Sequence, residues 1–293
     1  VSDYFTARAK GGAGLIMSGA LAVTDRYGTP ASGWIGSPMH TARLTQLADR
    51  IHIYGAKFCL ELTYGNGRCG CSDPSKPPFS ASAVPTLQYP DVLCREMPKE
   101  DIHFLVQQAG KAAAQAKLAG VDGVVIHAYA GYLLDQFQSS EWNHRTDEYG
   151  GSLENRFRLI RRVLLAVRDA CGPRFALLVK VDNDSCDDLP ALLRLFQSAG
   201  VDGIELSGLD MARRDGQKTP FFLDRLLAAW EGLTVPIFPV GGVFSRAAAE
   251  KVLAAGAPFV SLSRALICQP DFVERMEKGQ TESPCLACNH CYN

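Results

Sequence analysis

The chain has 293 residues, of which 47% are hydrophobic and 21% charged, and its formal net charge is −1. This length suits two average domains or one barrel, and the apolar fraction is sufficient for a large core. The near-zero charge excludes a general electrostatic attraction to nucleic acid or anionic membranes. No apolar run approaches the roughly 20 residues of a membrane span. We therefore predict neither a nucleic-acid nor a membrane partner.

Ten cysteines are many for a chain of this size, and three of them fall within the last nine residues. This spread favours reduced thiols and a metal motif over a disulfide framework. No signal peptide is recognisable, although the chain starts at Val1 without a methionine. We predict a cytoplasmic location, and homo-oligomerisation is left open.

One pattern recurs along the chain. A helix-like stretch ends in Ala-Gly or Gly-Gly, and a short apolar strand follows, with copies that begin at Lys10, Ala119, Ala199 and Ala255. Glycine just past a helix end supplies the left-handed cap. These strands lack polar alternation, which indicates that both of their faces are buried.

Three further apolar strands begin at Ala56, Phe175 and Pro236. The chain opens in a helix-like stretch at Tyr4, and further helices are predicted near 41–54, 98–119, 152–171, 188–199, 219–231 and 245–255. Strict alternation of strand and helix predicts an α/β fold, a (β/α)₈ TIM barrel, of which only seven strands are recognisable, so that one strand is lacking. An open doubly wound sheet is the alternative, disfavoured because no G-x-G-x-x-G opens the first helix. We assign 1–280 to the barrel and 281–293 to a cysteine-rich tail.

Two loops near the end of the barrel predict a phosphate site. Gly241 and Gly242 end one apolar strand, and Ser263 and Arg264 end the next. In barrels the last two such loops commonly bind anions, glycines let the backbone approach a phosphate, and arginine provides a bidentate partner. The alternative is that Gly-Gly forms only a tight turn.

Three more residues could carry chemistry at strand ends. Lys180 ends an apolar strand and must reach water, an anion or a partner such as Glu61. His127 and Tyr132 follow another apolar run, where an imidazole can hydrogen-bond a carbonyl oxygen and a phenol can deliver a proton. The structural alternatives are a salt bridge for the lysine and packing roles for the other two.

The segment from His127 to Arg156 resembles a loop of the old yellow enzyme-like NADH:flavin oxidoreductases. The family pattern is roughly H-x-x-H-G-Y-L followed by N-x-R-T-D-x-Y-G-G-S-x-x-N-R. The chain keeps His127, Tyr132 and nearly all of the second half, but has Ala130 at the second histidine. Tyr129, a strand neighbour of Ala130, is expected to point to the opposite face. Asn143, Arg145, Asp147 and Asn155 are interpreted as hydrogen-bonding residues that fix the loop.

The resemblance implies an FMN-binding barrel from the branch of enoate, dienoyl-CoA and bile-acid reductases, and a strand and hairpin before the first helix. Gly241, Gly242, Ser263 and Arg264 would hold the FMN phosphate, and Lys180 would lie beside the N1–O2 edge of the ring. Glu61 stands where the family usually has Gln against the flavin pyrimidine. A carboxyl group donates a hydrogen bond only when protonated, so Glu61 departs from the family pattern.

The implied function is reduction of an activated C=C bond in a small unsaturated substrate. NAD(P)H would provide the hydride through flavin N5, Tyr132 the proton, and His127 a hydrogen bond to the substrate oxygen. Two alternatives remain: a degenerate or truncated barrel without flavin catalysis, and a flavin barrel dehydrogenase that works in the oxidative direction.

The tail contains Cys285, Cys288 and Cys291 in a spacing typical of iron–sulfur ligation. The family's larger members have a fourth cysteine about a dozen residues on, so a [4Fe–4S] cluster is expected only if the natural chain continues. Zinc on three thiolates with His290, or free thiols, are the alternatives. Cys69 and Cys71 lie in a separate loop and are either redox-active or surface thiols.

Overall fold

The structure is a computed structural model that describes residues 2–28, 33–36, 38–182, 187–208 and 216–292. Its strands are β1 Leu15–Met17, β2 Leu21–Ala22, β3 Lys57–Thr63, β4 Phe79–Ser80, β5 Arg95–Glu96, β6 Gly123–Ala128, β7 Ala176–Asp182, β8 Gly203–Ser207 and β9 Ile237–Pro239. Its helices are α1 Ser2–Lys10, α2 Pro38–His52, α3 Lys99–Leu118, α4 Leu133–Gln138, α5 Leu153–Cys171, α6 Leu189–Ser198, α7 Leu223–Ala229, α8 Arg246–Ala254, α9 Arg264–Cys268 and α10 Phe272–Glu277.

The main sheet has seven strands, all parallel, in the order β1-β3-β6-β7-β8-β9, with β2 paired to β3. Apart from β1 and β2, which follow each other directly, its strands alternate with helices, and β6, β8 and β9 are buried on both faces, as is typical of parallel sheets. Within the described ranges no ladder joins β1 to β9, so the sheet is the open arc of a barrel. The predicted α/β barrel without its first strand is confirmed.

The long helices form where the sequence predicts them. In α5 most of the apolar side chains are buried, Ser152 caps the first turn by accepting a bond from the Asn155 N–H, and Gly172 ends the helix at φ 79°. A polar cap satisfies one of the first N–H groups, and glycine takes the left-handed conformation without steric cost. The short helices α4, α9 and α10 were not predicted, because each is too short to show a helical period.

The apolar run from Ala255 does not form a strand, contrary to the sequence prediction. Its only ladder contact within the described residues is a single parallel bridge between Val240 and Ser261. Pro258 lacks an N–H group, and Phe259 is 55% exposed, so this run lies at the margin of the sheet. The last strand of the barrel is therefore reduced to one bridge.

The cysteine-rich tail packs on the barrel. The Arg246 N–H donates to the Thr281 carbonyl at 2.8 Å, and the Ser283 N–H donates to the Phe244 carbonyl at 2.7 Å. Ala287 is fully buried in a cluster with Phe244. The tail is thus a fixed part of the structure beside the loops predicted to bind phosphate. Across the described part of the chain, no helix combines the length and apolarity needed to cross a membrane.

Candidate active site

The alternation of side chains along the strands brings four polar residues together inside the barrel. Cys59, Val125, Leu178 and Phe238 form an apolar layer between the strands. Residues two positions further along a strand face the same way, and here they lie nearer the carboxyl ends of the strands. At that level β3, β6, β7 and β8 contribute the four residues that we call the charge layer: Glu61, His127, Lys180 and Glu205.

The charge layer contains two close pairs. Glu61 Oε1 lies 3.8 Å from His127 Nε2, and Lys180 Nζ lies 3.8 Å from Glu205 Oε1. Ser261 Oγ also donates to Glu205 Oε1 at 3.5 Å. Among the described residues, Lys180 therefore forms its ion pair with Glu205 rather than with Glu61, although Lys180 still acts electrostatically on Glu61. Lys180 was expected either to form an ion pair or to bind an anion. The structure contains the ion pair, at the opening of the barrel beside the charge layer, which we call the mouth. Binding of an anion stays open.

One lysine cannot balance two buried carboxylates. Burial raises the pKa of Glu61, and Lys180 opposes that shift. Burial raises the pKa of Glu205 as well, against Lys180 and Ser261, which lower it. Glu61 Oε1 is buried with no hydrogen-bond partner among the described residues. Because a buried group without a partner is most stable in its neutral form, we infer that Glu61 is the carboxyl group that keeps a proton.

His127 is neutral at physiological pH. Burial lowers its pKa to about 3, and the nearby Lys180 contributes to the shift. A neutral imidazole has one donor and one acceptor nitrogen. Within the part of the chain that the structure describes, Nδ1 is buried without a hydrogen-bond partner. His127 is thus able to hydrogen-bond a small molecule in the mouth.

Two tyrosine rings enclose His127. The Tyr132 ring meets it edge-on, with ring centroids 4.8 Å apart and an interplanar angle of 84°. Burial is the largest cause of the raised pKa of the Tyr132 phenol, and electrostatic interaction with Cys69 and Glu61 raises it further. The phenol therefore stays protonated. A half-buried, protonated phenol next to a neutral imidazole is suited to deliver a proton.

Tyr129 lies in the mouth, which contradicts the expectation that it points to the opposite face. Its ring centroid is 4.7 Å from that of His127 and 4.9 Å from Lys180 Nζ. β6 ends at Ala128, and Ala130 has a left-handed φ of 70°. Strand alternation therefore does not extend to this pair, and the turn at Ala130 leaves Tyr129 on the side of His127.

Three side chains fix the turn at Ala130, and this role was not predicted from the sequence. The Ala130 N–H donates to Asp182 at 3.2 Å, the Gly131 N–H donates to Asp135 at 2.7 Å, and the Cys69 thiol donates to the Gly131 carbonyl at 3.0 Å. Cys69 is partly buried and Cys71 fully, so neither is a surface thiol. Burial raises the pKa of Cys69, which disfavours the reactive thiolate.

The glycine pair packs tightly against its own chain. Gly241 and Gly242 have φ values of 132° and 75°. A Cβ on Gly242 would lie 1.6 Å from the Thr219 carbonyl oxygen, and one on Gly241 would lie 2.3 Å from the Phe221 ring. Packing alone therefore requires both glycines, a role that the sequence did not reveal. Phosphate binding by this pair stays a prediction.

Arg264 begins α9 and is buried, whereas the preceding Ser263 is exposed. Its guanidinium carbon lies 5.0 Å from the centroid of the Phe244 ring. Its Nη1 donates to Asn289 Oδ1 at 2.5 Å. The predicted phosphate-binding cation is thus in contact with the cysteine-rich tail.

The structure gives no support to metal binding by Cys285, Cys288 and Cys291. Cys285 is partly buried and the other two thiols are exposed. Within the described ranges, no group of three His, Cys, Asp or Glu side chains is arranged to hold a metal ion. Metal binding by these three cysteines stays a prediction.

The residues of the mouth are suited to a flavin. The unpartnered atoms Glu61 Oε1 and His127 Nδ1 are buried polar groups that a ligand can satisfy. Lys180 is a partly buried cation in the same layer, and Arg264, the first residue of α9, is a fully buried one. A ring system with hydrogen-bonding edges and an anionic tail matches this set of donors.

Comparison with known proteins identifies the family. The model of the NADH:flavin oxidoreductase / NADH oxidase family matches residues 1–283. Cinnamate reductase of Clostridium sporogenes is 31% identical, over 98% of this chain and 49% of its own length. An NADPH dehydrogenase of Bacillus licheniformis is 32% identical, over 91% of this chain and 80% of its own length.

A solved structure shows the same fold. The complex of 2-naphthoyl-CoA reductase with 2-naphthoyl-CoA superposes with a TM-score of 0.83 at 26% identity, over 99% of this chain and 48% of that one. The chain spans about half the length of several of the curated relatives it matches, cinnamate reductase among them. The match over nearly the whole sequence shows that the chain belongs to the NADH:flavin oxidoreductase / NADH oxidase family.

Proposed function

We propose that the protein is an FMN-dependent ene-reductase, with NAD(P)H as the hydride donor and an α,β-unsaturated carbonyl compound or enoate as the substrate. The observation that carries this proposal is the meeting of a protonated phenol, Tyr132, with a neutral imidazole, His127, at the end of β6. The names of relatives such as cinnamate reductase support the substrate class.

The chain's own residues have distinct roles in this proposal. Bound FMN supplies hydride transfer from NAD(P)H to the activated double bond. Lys180 would stabilise negative charge on the bound ring, and Arg264 would hold the phosphate together with Gly241, Gly242 and Ser263. Burial raises the pKa of Glu61, and its protonated carboxyl group would donate a hydrogen bond to the flavin pyrimidine, as the amide of a glutamine would.

His127 and Tyr132 act on the substrate. A neutral His127 donates a hydrogen bond to the substrate's carbonyl or carboxylate oxygen, which withdraws electrons from the double bond. The Tyr132 phenol delivers a proton to the carbon next to the carbonyl group. The raised pKa of Tyr132 keeps this proton in place at neutral pH.

Separate measurement of the two half-reactions by stopped-flow absorbance tests this assignment. Tyr132→Phe should leave flavin reduction by NAD(P)H nearly unchanged and slow reoxidation by cinnamate or acrylate by roughly 10²–10⁴-fold, the usual contribution of a positioned acid. Tyr129→Phe is the matched control, since its ring also contacts His127. A large loss in Tyr129→Phe alone would assign the proton to Tyr129, and no loss in either variant would refute a tyrosine donor.

The alternatives differ in simple observables. A degenerate barrel would purify without the yellow colour of FMN. A dehydrogenase working in the oxidative direction would be reduced by an amine substrate rather than by NAD(P)H. The [4Fe–4S] cluster, the cytoplasmic location and homo-oligomerisation stay predictions, and iron analysis of the anaerobically purified full-length protein tests the cluster.

A further inference from the structure

The tail has an unusual backbone where it meets Arg264. Ala287 and Asn289 are non-glycine residues with a left-handed φ of 58° each. Such conformations persist only where the surrounding contacts determine them. Here Ala287 is fully buried, and its carbonyl accepts a hydrogen bond from the Gly216 N–H at 3.1 Å. The tail therefore holds the Asn289 side chain at a defined place.

At that place Asn289 meets a buried cation. Arg264 is only 5% exposed, its guanidinium group lies near the Phe244 ring, and its Nη1 donates to the Asn289 amide oxygen. No carboxylate of the described residues forms an ion pair with Arg264. The contact to Asn289 fixes the guanidinium group without neutralising it. A buried guanidinium held in this way keeps its charge and further donors for an anion.

We infer that Asn289 is a positioning residue, through which the tail holds Arg264 in the orientation that binds the flavin phosphate. This inference rests on the proposed function, because it assumes that Arg264 contacts the phosphate. It assigns a role in flavin selection to the tail, independent of any metal on its cysteines. The protein should then prefer FMN over riboflavin, which lacks the phosphate, and Asn289 should contribute to that preference.

Asn289→Gly tests the side chain alone, because glycine takes a left-handed φ without cost. The apoprotein of each variant is titrated with FMN and with riboflavin, and binding is followed by quenching of flavin fluorescence. The Kd for FMN should rise roughly tenfold, as for loss of one hydrogen bond to a charged group, while the Kd for riboflavin stays unchanged.

Two further variants distinguish the effect of the Asn289 side chain from that of the backbone conformation of the tail. Ala287→Gly keeps the left-handed backbone and the Asn289 side chain, so binding of both flavins should stay as in the wild type. Asn289→Asp places a carboxylate against Arg264 that competes with the phosphate. This variant should weaken FMN binding more than Asn289→Gly does and leave riboflavin binding unchanged.

Each of the following outcomes would overturn the inference. Tighter FMN binding by Asn289→Gly would mean that Asn289 blocks the site. Equal loss for both flavins, or equal loss in Ala287→Gly, would indicate a general packing role. If Asn289→Gly keeps the preference for FMN while Arg264→Ala loses it, the role of Asn289 is refuted but the phosphate site of the proposed function is not. If Arg264→Ala also keeps the preference, the phosphate site in the proposed function is wrong as well.

Discussion

Two buried charged clusters in this molecule differ in how completely their polar groups are satisfied. Arg145 is 6% exposed and donates to both carboxylate oxygens of Asp147 and to the carbonyls of Ala81 and Met97. The charge layer is buried to a similar degree but contains Glu61 Oε1 and His127 Nδ1 without partners among the described residues. A charge cluster that satisfies itself stabilises the fold, whereas one with unmet hydrogen-bonding capacity is available to a ligand.

The first cluster also shows what a family motif can contain besides catalysis. Asn143 donates to the carbonyls of Phe137 and Tyr149, and its own oxygen accepts from the Arg145 N–H. The hydrogen bonds from Arg145 hold the pKa of Asp147 below its usual range. The interpretation of Asn143, Arg145 and Asp147 as loop-fixing hydrogen bonders is confirmed, whereas the Asn155 side chain accepts from Arg158 within α5. The motif therefore contains both a strand end that we propose to act in catalysis and a set of residues that fix the following loop.

The largest expected effect on stability is at the satisfied cluster. Arg145→Met should lower the free energy of unfolding by about 3–5 kcal/mol, because it removes the charged donor of the Ala81 and Met97 carbonyls and the main partner of the partly buried Asp147 carboxylate. Urea unfolding measures this loss. Lys180→Met is the comparison variant, and we expect a smaller loss there, because burial already raises the pKa of Glu61 and Glu205 and these carboxyl groups can take up a proton when the lysine is removed. Equal losses in the two variants would remove the distinction between the clusters.

His127→Ala should act on the reaction instead. Loss of the hydrogen bond to the substrate oxygen should lower kcat/KM for an enoate by about 10²–10³-fold, the range for one oxyanion-site donor. Flavin reduction by NAD(P)H should be nearly unchanged in the same stopped-flow experiment. Slow flavin reduction with a normal alkene step would instead place His127 at the nicotinamide site.

Glu61→Gln should stabilise the protein above acidic pH. The pKa of Glu61 is raised by burial, so the folded state binds its proton more tightly than the unfolded state does. The stability contributed by that proton is present below the ordinary glutamate pKa of 4.5 and is lost as pH rises through the folded-state pKa. The neutral amide of Glu61→Gln does not titrate and avoids this loss. We therefore expect its free energy of unfolding to exceed that of the wild type by about 1–2 kcal/mol at high pH, and the difference to vanish in acid.

Chemical unfolding of wild type and Glu61→Gln across pH values measures this difference. Glu205→Gln is the matched control from the same layer, since Glu205 already contacts Lys180 and Ser261. Glu205→Gln should raise the free energy of unfolding less than Glu61→Gln does, because it removes the ion pair with Lys180. A larger gain for Glu205→Gln would mean that Glu205, and not Glu61, keeps the proton.

The smallest effect is expected at the exposed edge of the satisfied cluster. Lys99 lies 3.9 Å from Asp147 and also pairs with Glu148, but its side chain is 48% exposed. Solvent-screened pairs of this kind contribute little to stability. Lys99→Ala should therefore leave the urea midpoint unchanged within error. A clear loss would show that burial is not what separates Arg145 from its neighbours.

The sequence by itself determined the parallel α/β architecture. Apolar strands without polar alternation and glycines after helix ends follow from local chemistry, so β3, β6, β7 and β8 and the long helices could be predicted. It also indicated His127, Lys180 and Tyr132, because polar residues at the ends of buried strands stand out against their surroundings. The same argument applies to Glu205, a lone acid in an apolar strand, which the sequence analysis passed over.

Only the tertiary structure decided which polar groups meet. Lys180 pairs with Glu205 rather than Glu61 because the parallel register sets His127, Lys180 and Glu205 side by side on neighbouring strands. The turn at Ala130 places Tyr129 in the mouth, and the fold of the tail brings Asn289 to Arg264. Such contacts join residues far apart in sequence, and their partners depend on strand register and loop path, which no local pattern specifies.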